Sequence, residues 1–262
     1  MKQLRNIAFL ALTLTLTACA DNTPPTNPQD PYENFNRKMF TFNMALDHMF
    51  LKPAATLYNQ VTPDPLQIGI HNAFHNVHET VNVGNDLLQA KFTYALADTT
   101  RFIINSTFGV FGLFDVATKM GLPYHHQDFG MTLSTWGGGT RSAYLILPLW
   151  GPETMASGYG IPFDYFMYLP TYYPDGDTQY LIFGARMVTY RAQYLAADQM
   201  IKDSFDPYAF VRDFYLKDRE MIMSQNDLSY SEFRKQYYAK QAAEASATTA
   251  DATQHLPSSL PE

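Results

Sequence analysis

The stretch that predicts the fold is DPYENFNRKMFTFN, residues 30–43. Apolar side chains recur in it and just beyond it at alternating spacings of four and three, the period of one face of an α-helix; they are Phe35, Met39, Phe42, Leu46 and Met49. Asp30 and Pro31 are typical of an N-cap and a first helical residue. Pro53 is expected to end the helix. The sequence therefore predicts an amphipathic helix between these two prolines.

Helical periodicity continues through most of the chain. It predicts further helices over residues 64–77, 79–89, 91–105, 178–202 and 206–224. Because no linker-like stretch interrupts residues 31–235, we expect one domain there. The fold class is mostly α, with short irregular or hairpin segments.

Two apolar segments interrupt this pattern. Residues 106–122 place Phe and Leu side chains around Gly109 and Gly112, and residues 143–150 form a short apolar run. Both segments are too short to span a bilayer, for which a helix needs roughly 20 apolar residues. Each segment is therefore either part of a packed core or a surface that lies in one leaflet of a membrane.

The composition excludes several classes of protein. The chain has 262 residues, 18 of them Lys or Arg and 25 Asp or Glu, for a net charge of −7. Only 16% of residues are charged, against roughly 25% in soluble domains, while 15% are aromatic. An acidic chain lacks the basic footprint of a nucleic-acid binder. A single cysteine excludes an internal disulfide and a multi-cysteine metal site.

The N-terminus has the form of a bacterial lipoprotein signal. A basic start and an apolar stretch occupy residues 1–18, as in a signal peptide. They end in Leu16-Thr17-Ala18-Cys19, which resembles a lipobox, so we expect Cys19 to carry acyl chains that anchor the protein. The alternative is an ordinary secretory signal with a chance cysteine. Because Ala20 follows, and not the aspartate typical of inner-membrane retention, the outer membrane is favoured.

The two ends of the mature chain have a different composition from its middle. Residues 19–30 are polar and rich in proline, so we expect a flexible tether from the lipid anchor. Residues 236–262 are largely Ala, Thr and Ser with few large apolar side chains. Such a segment buries too little surface to order itself, so we expect a disordered tail.

Several short stretches keep their order along most of the mature chain: residues 30–43 (DPYENFNRKMFTFN), 51–53 (LKP), 80–82 (TVN), 101–107 (RFIINST), 112–117 (GLFDVA), 128–133 (DFGMTL), 147–152 (LPLWGP) and 206–212 (DPYAFVR). Together they resemble the MlaA (VacJ) family of lipoproteins. The resemblance implies a ring-like helical domain that lies in the periplasmic leaflet of the outer membrane, beside a trimeric porin.

The resemblance also implies a function. Members of this family take mislocalised phospholipid from the outer leaflet through an amphipathic channel and pass it to a periplasmic lipid-carrier protein, which maintains lipid asymmetry. The expected partners are therefore phospholipid, a porin trimer and the carrier. The alternative is a structural or adhesion lipoprotein without transport activity.

Two groups of residues are candidates for the channel and its gate. Asn36, Arg37, Asn43 and Asp47 lie on the polar side of the first helix and could line a channel, or they could form a solvated helix face. The glycines Gly137, Gly138 and Gly139, followed by Arg141, could hinge a gating loop, or form an ordinary tight loop. Arg141-Ser142-Ala143 replaces the Gly-Pro portion common in the family, so the glycines lie earlier here.

Residues that could carry other chemistry are few. His71, His75 and His78 share one helical face, which could be a metal site, or could present histidines to solvent or to a channel; His78-Glu79 lacks the second histidine of the HExxH pattern. His125-His126 is expected to be a loop pair. Asp128-Phe129-Gly130 lacks the accompanying kinase motifs, and the chain has no GxSxG elbow. We therefore expect no enzyme, metal or cofactor.

Overall fold

The structure is a computed structural model that describes residues 27–137 and 142–254, the last eight of them as backbone only. Its elements, in chain order, are α1 (Glu33–Leu46), a π-helical turn (Asp47–Leu51), α2 (Lys52–Val61), α3 (Asp64–Leu88), α4 (Phe92–Thr107), α5 (Val116–Lys119), α6 (Phe129–Trp136), β1 (Tyr144–Leu147), β2 (Gly151–Thr154), α7 (Met155–Met167), a 3-10 turn (Leu169–Tyr172), α8 (Gly176–Gln193), a 3-10 turn (Leu195–Ala197), α9 (Asp198–Asp203), α10 (Pro207–Asn226) and α11 (Tyr230–Gln254). The mostly α fold class is confirmed.

The first helix begins later and ends later than the two prolines predict. It begins at Glu33, and Asp30 is not its N-cap; the buried Asp30 carboxylate instead accepts hydrogen bonds from Asn36 and from the hydroxyl of Tyr208. The expected tether therefore stops short of Asp30. At the other end, the helical backbone continues through Pro53. A π-helical turn precedes this proline and widens the backbone at the position where proline has no N–H to donate.

The middle helices follow the predicted pattern with different boundaries. The predicted helices over 64–77 and 79–89 form one continuous α3, and α4 matches the predicted 91–105 within two residues at its C-terminus. The two helices pack side by side over much of their length. The predicted helix over 178–202 is divided, because α8 ends at Gln193 and α9 begins at Asp198.

The two apolar segments differ in how far their side chains are buried. In the antiparallel hairpin, β1 pairs with β2 so that Tyr144 lies opposite Thr154, and Tyr144 and Ile146 pack against Tyr208 in the core. Residues 144–146 therefore belong to the core, whereas Leu149 and Trp150 at the end of the same apolar run are exposed. In the segment 106–122, by contrast, Phe108 and Phe111 are 78% and 83% exposed.

The C-terminal segment differs from the expected tail. α11 runs through to Gln254, so residues 236–254 continue a helix that begins at Tyr230. Tyr230 and Phe233 pack against Tyr94 of α4, and the hydroxyl of Tyr238 donates to the Thr118 carbonyl. Once this packed turn starts the helix, alanine continues it at little cost, since alanine has the highest helix propensity.

Contacts between distant helices close the fold on itself. α1 is joined to α10 through Arg37 and Asp206, α2 packs on α8, and α6 packs on α7. Arg191 of α8 reaches both Asp47 and Asp198. α3, α7 and α8, together with the β-hairpin, border a cavity that is partly open to solvent. In the described ranges, no helix combines the length and the apolar character that crossing a bilayer requires.

Candidate functional site

A cavity of about 500 Å³ lies between α3, α7, α8 and the β-hairpin. Part of its lining is polar, with His78, His126, Asp128, Glu153, Ser157, Asp164 and Arg186. Another part is aromatic, with Trp150, Tyr165, Tyr168, Tyr180 and Phe183. The cavity is therefore amphipathic, which suits a ligand with one polar and one apolar end.

Asp128 organises the polar lining. Its Oδ1 accepts the backbone N–H of Met131 at 2.8 Å and so caps α6, and both Nη groups of Arg219 donate to its carboxylate. Burial alone would raise the pKa of Asp128, but Arg219 outweighs burial and lowers it well below its ordinary value. The Asp-Phe-Gly tripeptide is thus the start of a helix held by an ion pair.

Glu153 and Asp164 complete the acidic part of the lining. The carboxylate of Asp164 accepts from Asn85 Nδ2 at 2.9 Å and from the Phe129 N–H at 3.0 Å. The carboxylate of Glu153 accepts from the hydroxyl of Tyr215 at 3.3 Å. Burial, and then the charge of Asp128, raises the pKa of Glu153 to about 7 and that of Asp164 to about 6. Among the described residues, neither carboxylate has an ion-pair partner.

Of the three histidines of α3, His78 is buried and His71 and His75 are half-buried. The rings of His71 and His75 are 4.0 Å apart, and His75 also contacts the ring of Tyr124 at 4.3 Å. His78 lines the cavity and stacks on His126 at 5.0 Å. Burial lowers the pKa of His75 to about 3 and that of His78 well below its ordinary value. Burial therefore favours the neutral form of all three rings, and the contacts among rings leave His71 and His75 only partly open to solvent.

His125 lies in the loop that the sequence predicts, and its ring is buried between two carboxylates. Its Nδ1 is 3.2 Å from Asp98 and its Nε2 is 3.5 Å from Asp86. These three residues also have the spacing of metal ligands. Burial opposes the charge on His125, but Asp98 and Asp86 outweigh it and raise its pKa to about 10. The protonated ring forms ion pairs with both carboxylates, and a metal ion bound by the same three residues would have to displace the ring protons.

The four polar residues of α1 and the π-helical turn are absent from the cavity lining. Asn36 is buried; its Nδ2 donates to the Tyr144 carbonyl and its Oδ1 accepts the Ile146 N–H at 2.8 Å. Two turns further on, Asn43 donates to the Leu147 carbonyl and accepts the Leu149 N–H. The two asparagines therefore hold the β-hairpin by its backbone.

Arg37 and Asp47 join helices together. Arg37 pairs with Glu33 at 2.8 Å and with Asp206 at 2.6 Å. Asp47 pairs with Arg191 at 2.7 Å. The structure therefore links Arg37 within α1 and to the start of α10, and Asp47 to α8; a position of these residues around a channel stays a prediction.

The predicted gating loop is described only at its start. Gly137 is the C-cap of α6, and its φ of −79° is accessible to any residue. Gly138, Gly139 and Arg141 lie outside the described residues. The gating role of this loop stays a prediction.

The exposed segment between α4 and α5 has an unusual backbone. Val110 and Phe111 adopt φ values of 52° and 57°, which side-chain-bearing residues rarely adopt. Gly112 follows at a φ of 89°, and a Cβ there would lie 2.6 Å from the Cβ of Asn76. This tight turn directs the side chains of Phe108 and Phe111 toward the surface, where both are largely exposed. Such a cluster of exposed aromatics marks an interaction surface.

The fold and the site define a class of protein: a helical protein with exposed apolar side chains around an amphipathic cavity. The MlaA lipoprotein family model matches residues 28–221, and the chain belongs to that family. It is 37% identical over 194 residues to an uncharacterized protein of Rickettsia bellii, which covers 73% of this chain and 75% of that protein.

Relatives with descriptive names are also similar to this chain. It is 30% identical over 238 residues to the intermembrane phospholipid transport system lipoprotein MlaA of Escherichia coli, over 88% of this chain and 93% of that protein. A solved structure from work on the structural basis for maintenance of bacterial outer membrane lipid asymmetry is 30% identical, with a TM-score of 0.62 over 74% of this chain and 98% of the solved chain.

Proposed function

We propose that this protein is an outer-membrane lipoprotein that removes mislocalised phospholipid from the outer leaflet and so maintains lipid asymmetry. Membership of the MlaA family and the names of its relatives support a role in phospholipid transport. The observation that carries the proposal is the amphipathic cavity between α3, α7, α8 and the β-hairpin. Its polar lining suits a headgroup, and its aromatic lining suits the start of the acyl chains.

The proposal includes an anchor, a porin and a carrier. Acyl chains on Cys19 would hold the protein in the periplasmic leaflet, since several chains together anchor far more stably than one. A porin trimer would lie beside the helical domain, and a soluble periplasmic protein would accept the lipid from the cavity. The Gly137–Gly139 loop would gate passage. The protein acts as a transport component and not as an enzyme.

The proposal is tested in a strain that lacks this protein. Loss of a lipid-removing component is expected to place phospholipid in the outer leaflet, measured by labelling surface-exposed lipid, and the wild-type chain is expected to reverse it. A structural or adhesion lipoprotein would leave the outer leaflet unchanged, and that result would contradict the proposal.

The anchor gives a direct prediction. Cys19→Ala is expected to remain unprocessed and to incorporate no labelled palmitate, because no other cysteine can receive the acyl chain. Labelling with radioactive palmitate followed by gel electrophoresis measures both effects. Ser142→Ala is a control that leaves the signal intact. Label in the Cys19→Ala protein would contradict the lipobox assignment.

The exposed aromatic turn gives a second prediction. Phe108→Ser together with Phe111→Asn is expected to weaken binding to phospholipid vesicles about tenfold or more, because each buried phenylalanine contributes about 1.5–3 kcal/mol. Asparagine tolerates the left-handed backbone at position 111, so the fold is expected to persist. Vesicle flotation of chains that begin after Cys19 measures the partition.

The control for that experiment is Phe205→Ser, which removes another fully exposed phenylalanine between α9 and α10. Its vesicle binding is expected to change less than that of the double variant. If the chain without its anchor is monodisperse in plain buffer with no bound lipid, the aromatic turn is not a membrane surface.

A further inference from the structure

Arg186 is a cation of the cavity that has no acidic partner among the described residues. It lies on α8 and lines the cavity, with its guanidinium carbon 5.1 Å from the ring centroid of Tyr168 and 5.4 Å from that of Tyr190. The two rings hold the guanidinium in place through cation–π contacts. In the described part of the chain, no ion pair includes Arg186, so its N–H donors remain available for an anion.

Other charges of the cavity are already neutralised or are negative. Asp128 is paired with Arg219, which donates both Nη groups to it. Glu153 accepts from a tyrosine hydroxyl, and Asp164 accepts from an amide side chain and a backbone N–H. Within the part of the chain that the structure describes, the cavity therefore presents one guanidinium and two carboxyl groups that have no ion-pair partner.

We propose that the cavity is selective for a zwitterionic aminophospholipid headgroup, with its phosphodiester on Arg186 and its ammonium on Glu153 and Asp164. This inference rests on the proposed function and names the lipid class that the site accepts. Guanidinium groups bind phosphate through paired N–H donors, and an ammonium balances the two carboxylates. The aromatic lining, with Trp150 and Tyr165, faces the ligand's less polar portion.

The same arrangement discriminates against anionic headgroups. A phosphatidylglycerol headgroup offers a phosphodiester to Arg186 but has no ammonium for Glu153 and Asp164. Binding it would add a negative charge to a partly buried space beside two carboxyl groups, which is unfavourable. The neutral rings of His75 and His78 supply no further positive charge to offset it.

Short-chain lipids test the proposal on the full chain in detergent. The affinities of dihexanoyl phosphatidylethanolamine and dihexanoyl phosphatidylglycerol are measured by calorimetry, with inorganic phosphate as a third ligand. The wild type is expected to bind the ethanolamine lipid about tenfold more tightly than the glycerol lipid. Arg186→Gln is expected to weaken the binding of both lipids about tenfold or more, because it removes charge-assisted hydrogen bonds.

A second variant separates the two ends of the headgroup. Glu153→Gln keeps an acceptor for Tyr215 but removes the charge. It is therefore expected to weaken the binding of the ethanolamine lipid and to leave the affinity for the glycerol lipid equal or higher. Arg234→Gln is the matched control, since Arg234 also lies over a tyrosine ring but is not among the residues that line the cavity. Its affinities are expected to equal those of the wild type.

Three results would overturn the inference: equal or tighter wild-type binding of the glycerol lipid, no effect of Arg186→Gln, or inorganic phosphate binding as tightly as the ethanolamine lipid, which would indicate a free-anion site. If the headgroup preference is missing but the protein still removes phospholipid from the outer leaflet, only this inference fails. If no phospholipid binds or moves, the proposed function fails with it.

Discussion

Replacing Arg101 with methionine is expected to destabilise the protein by about 3–5 kcal/mol, the cost of breaking a buried ion pair by removing one partner. Arg101 is 1% exposed. Its Nε donates to Glu79 at 2.6 Å, its Nη1 to Thr118 at 2.9 Å, and its Nη2 lies 3.3 Å from Asp115. Without the guanidinium, Glu79 would be a buried carboxylate with no cation beside it.

Denaturant unfolding in detergent micelles, followed by circular dichroism, measures this loss. A domain has about 5–15 kcal/mol of stability in total, so the variant is expected to accumulate poorly. Arg234→Met is the control, with an expected change within about 0.5 kcal/mol. The double variant Arg101→Met with Glu79→Met is expected to recover part of the stability, because it removes the orphaned charge. A loss under about 1 kcal/mol in Arg101→Met would contradict this account of the core.

Filling the cavity is expected to stop lipid removal without unfolding the protein. Gly176 is the first residue of α8 and lines the cavity, and a Cβ added there would meet nothing within 4 Å. Gly176→Trp therefore places a large ring in the path of a lipid headgroup at little cost to packing. Outer-leaflet phospholipid is expected to rise to the level of a strain that lacks the protein.

Gly184→Trp is the matched control on the same helix. A Cβ at Gly184 also meets nothing within 4 Å, but Gly184 is not among the residues that line the cavity. Both variants are expected to keep the melting temperature of the wild type within a few degrees. Full lipid removal by Gly176→Trp, or equal loss in both variants, would contradict passage through the cavity.

Helical periodicity predicted the positions of the helices because an apolar stripe depends only on local spacing. The prediction that the helix ends at Pro53 was wrong, because Pro53 lies inside a longer helical stretch. The π-helical turn that allows this depends on the local backbone and not on hydrophobicity. Periodicity also could not separate the two apolar segments. Ile146 is buried because β1 packs against α1 and α10, whereas Phe111 is exposed because a left-handed turn points it outward.

The site was harder to predict than the fold because its residues come together only in three dimensions. Asn36 lies on a polar helix face, but its partner Ile146 is 110 residues away, so periodicity could not distinguish a backbone clamp from a channel wall. Glu153 and Arg186 stand in unremarkable local sequence, and only the folding of α8 beside the hairpin brings both into one cavity. The available signal for these two residues was that each is a single charged residue in a segment with few charges.

The central claim is that phospholipid enters the cavity, and photo-crosslinking tests it most directly. A phospholipid with a diazirine near its headgroup is incorporated into the membranes of cells that express the full chain, and crosslinked peptides are mapped by mass spectrometry. We predict adducts on the cavity lining of α7 and α8, including the segment around Arg186, and their loss in Gly176→Trp but not in Gly184→Trp. Adducts confined to the exposed turn at Phe108 and Phe111, unchanged by Gly176→Trp, would contradict the account.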